Sequence, residues 1–137
     1  MKINSEQEML EFGQSFSKQI AKTNKATVIE LIGDVGAGKT TFVRGLAKGL
    51  GIKEPISSPS FVISKTYALP LNRGNLVHYD FYRLSDPGIM SDDLQENLEN
   101  PKNIIVIEWG ESIANILPKN RIKLHIEYND NDIRNIS

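Results

Sequence analysis

The chain contains no cysteine, which excludes disulfide frameworks and thiolate sites and fits a reducing compartment. No apolar stretch approaches the roughly 18–20 residues that span a bilayer. The opening residues, Met1-Lys2-Ile3-Asn4-Ser5-Glu6, lack the apolar centre of a signal peptide, so a soluble cytoplasmic protein is the expectation. Neither sign of charge dominates: 16 basic and 17 acidic side chains leave a net charge of −1. No global field therefore favours nucleic acid or an anionic membrane, and any contact with RNA would be local or through a partner. Internal repeats and low-complexity segments are also missing. At 137 residues the chain has the length of one domain, residues 1–137, with no room for a separate regulatory unit.

What is present is a glycine motif. Gly33-Asp34-Val35-Gly36-Ala37-Gly38-Lys39-Thr40 fits G-x-x-x-x-G-K-[ST] in full, the pattern of a phosphate-binding P-loop. Its glycines let consecutive backbone N–H groups point into one concavity, and the helix that follows adds its positive end to the same spot. Lys39 would neutralise the β- and γ-phosphates, and Thr40 would offer its hydroxyl to Mg²⁺. The context suits the motif. Ala26 to Ile32 is an apolar, β-branched run that reads as a buried strand. Phe42, Val43, Leu46 and Leu50 then recur at helical spacing, with Gly51 placed to stop the helix.

The rest of the chain reads as alternating elements. Ser5-Glu6-Gln7-Glu8 is a capping-box pattern, and Met9, Phe12, Phe16 and Ile20 share one helical face; this first helix is expected beside the P-loop strand. Lys53 to Pro59 is a loop by its prolines and serines. Phe61 to Leu69 and Asn75 to Phe81 read as two strands of an antiparallel hairpin, Ser91 to Glu99 as a polar helix and Asn103 to Glu108 as a second buried strand. Glu111 to Leu117 reads as a short helix, Arg121 to Tyr128 as an edge strand, and Asn129 to Asp132 as a polar, mobile tail. The expected fold is α/β, a three-layer P-loop NTPase-like arrangement around a mixed, mostly parallel sheet.

Phosphate chemistry needs an acid for the metal and a group to orient the attacking water, both at the C-terminal ends of strands. Asp80 and Glu108 each end a strand. Either could be the metal-site acid, the two could divide the work, or either could be a solvated strand-end carboxylate. Ser60 lies where switch segments carry a hydroxyl to the γ-phosphate, or it caps a turn. Trp109, the sole tryptophan, could stack on a base, anchor a partner or simply pack. Arg44 and Arg83 could supply positive charge to the transition state or form surface ion pairs. His78 has no metal-ligand spacing with His125 and reads as structural.

Four segments in order, the glycine motif through Phe42, Ser58-Pro59-Ser60-Phe61-Val62, His78-Tyr79-Asp80-Phe81-Tyr82-Arg83-Leu84 and Ile107-Glu108-Trp109-Gly110-Glu111, resemble the TsaE (YjeE) family over nearly the whole chain. The resemblance implies a small Mg²⁺-dependent ATPase. With TsaB, TsaD and the threonylcarbamoyl-AMP synthase, it would serve formation of N6-threonylcarbamoyladenosine at position 37 of ANN-decoding tRNAs. ATP binding and hydrolysis would reset the TsaB–TsaD complex, with tRNA contacted only indirectly. It further implies that Asp34, Val35, Gly36, Ala37, Gly38 and Lys39 clamp the phosphates, with Thr40 on the metal and Thr41 on the α-phosphate side. Glu108 becomes a metal-site or catalytic acid, Asp80 a second acid in the same site, and Arg134 an arginine near the nucleotide. Ser60 stands where the family more often has Thr. Two other functions remain open: a small-molecule kinase on the same scaffold, and a nucleotide-dependent binding module without useful hydrolysis.

Overall fold

A computed structural model describes residues 2–20, 25–33, 38–57, 64–81, 88–128 and 134–136, with backbone alone at 89, 128 and 134–136. A two-residue strand, β1 (Lys2–Ile3), leads into helix α1 (Glu6–Ser17). The capping pattern forms: the Glu8 N–H donates to the Ser5 hydroxyl at 3.1 Å, and the Asn4 N–H donates to the Glu8 carboxylate at 2.5 Å. Strand β2 (Thr27–Ile32) precedes the glycine motif and helix α2 (Lys39–Gly49) follows it. Gly51 ends α2 as expected. At φ 87° its N–H donates to the Lys48 carbonyl while the Ile52 N–H donates to that of Ala47, a Schellman closure that favours a residue without Cβ.

Strands β3 (Ser64–Ala68) and β4 (Asn75–Asp80) pair antiparallel, as the hairpin reading requires; Phe61 to Ile63 lie outside the described residues. Helix α3 (Ile89–Leu98), strand β5 (Ile104–Glu108), a 3₁₀ helix over Gly110–Ile116, and strands β6 (Ile122–Tyr128) and β7 (Arg134–Ile136) complete the order. All seven strands join one mixed sheet in the order β1-β7-β6-β2-β5-β4-β3. Its four central strands are parallel, and antiparallel partners close both sides. β5 is buried along its whole length, as a strand covered on both faces should be.

One expectation changes and another is sharpened. Strand β6 is not an edge, because it pairs with β2 on one side and with β7 on the other. Its alternation is real, with Leu124 and Ile126 buried between exposed neighbours, but alternation reports a wet face, not a missing neighbour. Helix α1 shares an apolar layer with Ile29 and Leu31 of β2, as expected, but makes its main contact with α2. Gly13 and Gly45 explain how: a Cβ on Gly13 would run into the Phe42 carbonyl oxygen, and one on Gly45 into that of Leu10. The two backbones cross with nothing between them. Phe12, Phe16 and Phe42 fill the space alongside, with ring centroids 5.7–6.0 Å apart. The Asn129–Asp132 tail lies outside the described residues.

The sheet separates two apolar layers. Ile29, Leu31, Leu76 and Val106 face Phe42, Val43 and Leu46 of α2. On the other side Val77, Tyr79, Ile105 and Ile107 meet Leu94 and Leu98 of α3 and Ile113 of the 3₁₀ helix. There Tyr79 donates to Asp93 at 2.6 Å and accepts from Asn97 at 2.7 Å.

Two outcomes follow from this packing. Gly45→Ala should lower the unfolding free energy by about 1–3 kcal/mol through overpacking at the helix crossing, read as a lower denaturant midpoint in urea. Burial, reinforced by the Asp93 carboxylate, raises the Tyr79 phenol above its ordinary value of 10. A folded-state value above the unfolded one means that the contribution is intact below about pH 10 and is lost as pH rises further. The urea midpoint should therefore fall from pH 10 upward, and fall less in Tyr79→Phe.

Candidate functional site

Side chains on a strand alternate between faces, so register decides which of them can meet. Leu31 of β2 pairs with Glu108 of β5, and Glu108 with Asp80 of β4. The three form one row across the sheet, on the α2 side. His78, two residues before Asp80, shares that face. Glu108 is one strand spacing from β2, about 5 Å, and Asp80 two, about 10 Å. Both acids are the last residues of their strands and both are buried.

The chain returns to this row at the start of α2. Gly38 holds φ 99°, and α2 begins at Lys39 with no side-chain cap and no acid in its first turn. The helix thus presents a positive N-terminus that no side chain of its own first turn compensates. The Lys39 ammonium donates to the Gly33 carbonyl at 2.7 Å, lies 3.6 Å from Glu108 Oε1, and sits 4.3 Å from the centre of the Trp109 ring. Trp109 can bring its ring there because its own backbone is left-handed, φ 57° and ψ 51°. Thr40 and Thr41 occupy the same first turn, half-buried. Seven polar or charged side chains are buried among the described residues, and four of them, Lys39, His78, Asp80 and Glu108, stand at this end of the sheet. Since unpaired buried charge is costly, such a concentration sets this end of the sheet apart from the apolar core and makes it the candidate site.

The partner of His78 is what the sequence does not reveal. His78 is wholly buried, and its Nε2 lies 2.6 Å from Glu108 Oε2. Its signal was a histidine within an otherwise apolar strand, but the partner is 30 positions away and only the β4–β5 register reveals it. A second pair, of the buried Glu30 and the mostly covered Arg121, lies on the opposite sheet face. Arg121 Nε donates to Glu30 Oε1 at 2.8 Å and Arg121 Nη1 to the Pro118 carbonyl at 3.0 Å. Glu30 lines a cavity of about 160 Å³ with Gly33, Trp109 and Glu111.

The remaining residues of interest divide as follows. Asp34, Val35, Gly36, Ala37, Ser60 and Arg83 lie outside the described residues. Arg44 points away from the row, donating to the Ile56 carbonyl at 3.3 Å and lying 4.0 Å from Glu6; it takes the ion-pair reading. Arg134 pairs with Tyr128, beyond the end of β6 that lies beside Ile32, so its backbone is at the same end of the sheet as the row. No group of three or more His, Asp or Glu side chains among the described residues is placed to hold a metal. Mg²⁺ with a nucleotide needs only one or two carboxylates beside phosphate and water oxygens. The Thr40 hydroxyl and the two strand-end acids are a donor set of that kind.

A family model, threonylcarbamoyl adenosine biosynthesis protein TsaE, matches residues 3–136. The chain belongs to the TsaE family. Among its TsaE relatives, the tRNA threonylcarbamoyladenosine biosynthesis protein TsaE of Haemophilus influenzae is 38% identical over 98% of this chain and 84% of its own length. The protein of the same name from Bacillus subtilis is also 38% identical, over 88% of this chain and 77% of its own. The crystal structure of Bacillus subtilis YdiB superposes with a TM-score of 0.78 at 31% identity, covering 99% of this chain and 80% of that one. The TsaE resemblance carried by the four sequence segments is therefore borne out. No helix among the described residues is long and apolar enough to cross a membrane.

The mostly covered Arg121–Glu30 pair makes a stability prediction for this TsaE-family chain. Arg121→Ala leaves a buried carboxylate without its partner and should cost about 3–5 kcal/mol. Replacing both residues with apolar ones of similar volume should restore most of that loss, measured by chemical denaturation of the single and double variants.

Proposed function

We propose that this TsaE-family protein binds Mg-ATP at the C-terminal ends of β2 and β5 and hydrolyses it slowly when alone. Turnover resets the TsaB–TsaD complex during formation of N6-threonylcarbamoyladenosine in tRNA, with tRNA itself met only through that complex. The observation that carries the reading is the Lys39 ammonium, held between the Gly33 carbonyl and Glu108 at the uncapped start of α2. A buried cation on a helix N-terminus is a receptor for phosphate oxygens.

In this reading the amides of residues 34–38 and the Lys39 ammonium clamp the triphosphate. Lys39 leaves the Gly33 carbonyl to do so, and Thr41 supports the α-phosphate side. Thr40, with Glu108 and Asp80, would hold Mg²⁺, which would supply neutralisation of the charge that develops on the phosphates. Glu108, nearer to Lys39, orients and polarises the attacking water, while Asp80, one strand further out, is the outer acid. Ser60 and Arg134 complete the nucleotide contacts. Slow turnover follows from the arginines. Of the arginines whose side chains are described, Arg44 and Arg121 are engaged elsewhere and Arg73 precedes β4, at the opposite end from Asp80, so none of these three is an arginine finger, a group worth several orders of magnitude in related chemistry.

Phosphate release from the purified chain with ATP and Mg²⁺ is expected to be slow and to rise strongly when the TsaB–TsaD complex is added. Lys39→Ala should abolish nucleotide binding, and Glu108→Gln should preserve binding while cutting turnover about tenfold or more. Because Lys39 lies on the only tryptophan, ATP binding should also change Trp109 fluorescence. Native hydrolysis in the Lys39 variant would overturn the phosphate-clamp assignment.

A further inference from the structure

Burying an imidazole inside a sheet that otherwise faces α2 with Leu76, Val106 and Leu31 needs a reason. His78 is fully buried, and one of its ring nitrogens, Nδ1, has no hydrogen-bond partner. An unsatisfied buried polar atom carries a desolvation cost that an aliphatic side chain in the same place would avoid. The other nitrogen makes the contact that explains the residue. Nε2 is 2.6 Å from Glu108 Oε2, while Glu108 Oε1 is left 3.6 Å from the Lys39 ammonium. Parallel register sets this up: His78 pairs with Val106, so it sits diagonally across from Glu108 on the same sheet face.

We propose that His78 is the positioning residue of Glu108. Against a carboxylate oxygen the ring hydrogen belongs on Nε2, which donates to Oε2. That bond fixes the terminal torsion of Glu108, a rotation with a broad, shallow preference when unrestrained. It also prevents Lys39 from drawing both oxygens onto itself. Oε1 is then the atom presented toward Lys39 and the end of the sheet. The inference rests on the ATPase reading of Glu108. It adds that the carboxylate works only in the orientation His78 imposes, so loss of His78 acts on turnover and not on nucleotide affinity.

The test uses the full chain with ATP and Mg²⁺. His78→Leu should lower kcat by roughly 10–100-fold, the usual range for losing an outer-shell partner, with ATP affinity near native. His78→Gln, whose amide N–H lies near the Nε2 position, should recover much of the loss, whereas His78→Asn, too short to reach Glu108, should not. The double variant His78→Leu/Glu108→Gln should be no slower than Glu108→Gln alone, because the two residues act as one unit. Nuclear magnetic resonance of the unmutated chain adds a measurement that needs no variant to fold. A protected, downfield imidazole N–H should be present and should persist in His125→Gln, which removes the only other histidine. If Glu108→Gln slows hydrolysis while His78→Leu does not, if the two losses multiply, if Asn rescues as well as Gln, or if no such N–H is found, the assignment of His78 is overturned and the ATPase reading stands. If the native chain neither binds nor hydrolyses ATP, that reading falls first and takes this inference with it.

Discussion

The register of three parallel strands is the constraint on which the site depends. β2, β5 and β4 lie side by side so that Leu31, Glu108 and Asp80 fall in one row. A slip of one residue in β5 would turn Glu108 to the α3 side of the sheet, away from Lys39, and place Ile107 among the charges. The apolar residues guard against that slip. Ile105 and Ile107 are buried on one face and Ile104 and Val106 on the other, but the strand ends in a carboxylate that is tolerable only where an ammonium and an imidazole meet it. Polar pairing and apolar packing thus select the same register.

Much of this was legible in the sequence, for identifiable reasons. Ala26 to Ile32 and Asn103 to Glu108 were recognisable as central strands because both faces are covered and both faces are therefore apolar. The helices α1 and α2 announced themselves by period and by caps, Ser5 at one start and Gly51 at one stop. The glycine motif named its own lysine. What escaped was information carried between distant residues. A helical face shows that α1 has a partner but not that the partner is α2, and the glycines that permit the crossing have no pattern of their own. Strands of two and three residues, β1 and β7, are too short to carry a period. His78 resembled a buried structural histidine until its neighbour across the strands was known.

The α1–α2 contact matters to the site because α2 begins at Lys39. Its backbone-to-backbone crossing at Gly13 and Gly45 leaves little freedom for α2 to slide or rotate. The first turn, with Thr40 and Thr41, is therefore held at a set height above Glu108. TsaE-family membership over residues 3–136 encompasses this whole scaffold, from the capping of α1 to the last strand.

The sheet edge formed by β1 and β7 has a different character. Two register pairs, Lys2 with Asn135 and Ile3 with Arg134, join residues from opposite ends of the sequence. Closing a loop of nearly the full chain length is the most entropically demanding contact in the molecule, and it is secured by very few residues. It should form last during folding and open first in the native state, independently of the central strands. Because Arg134 lies on that edge, its backbone should open with it, at the end of the sheet where the charged row is gathered. The rigid and the yielding parts of the fold thus share one end of a single sheet.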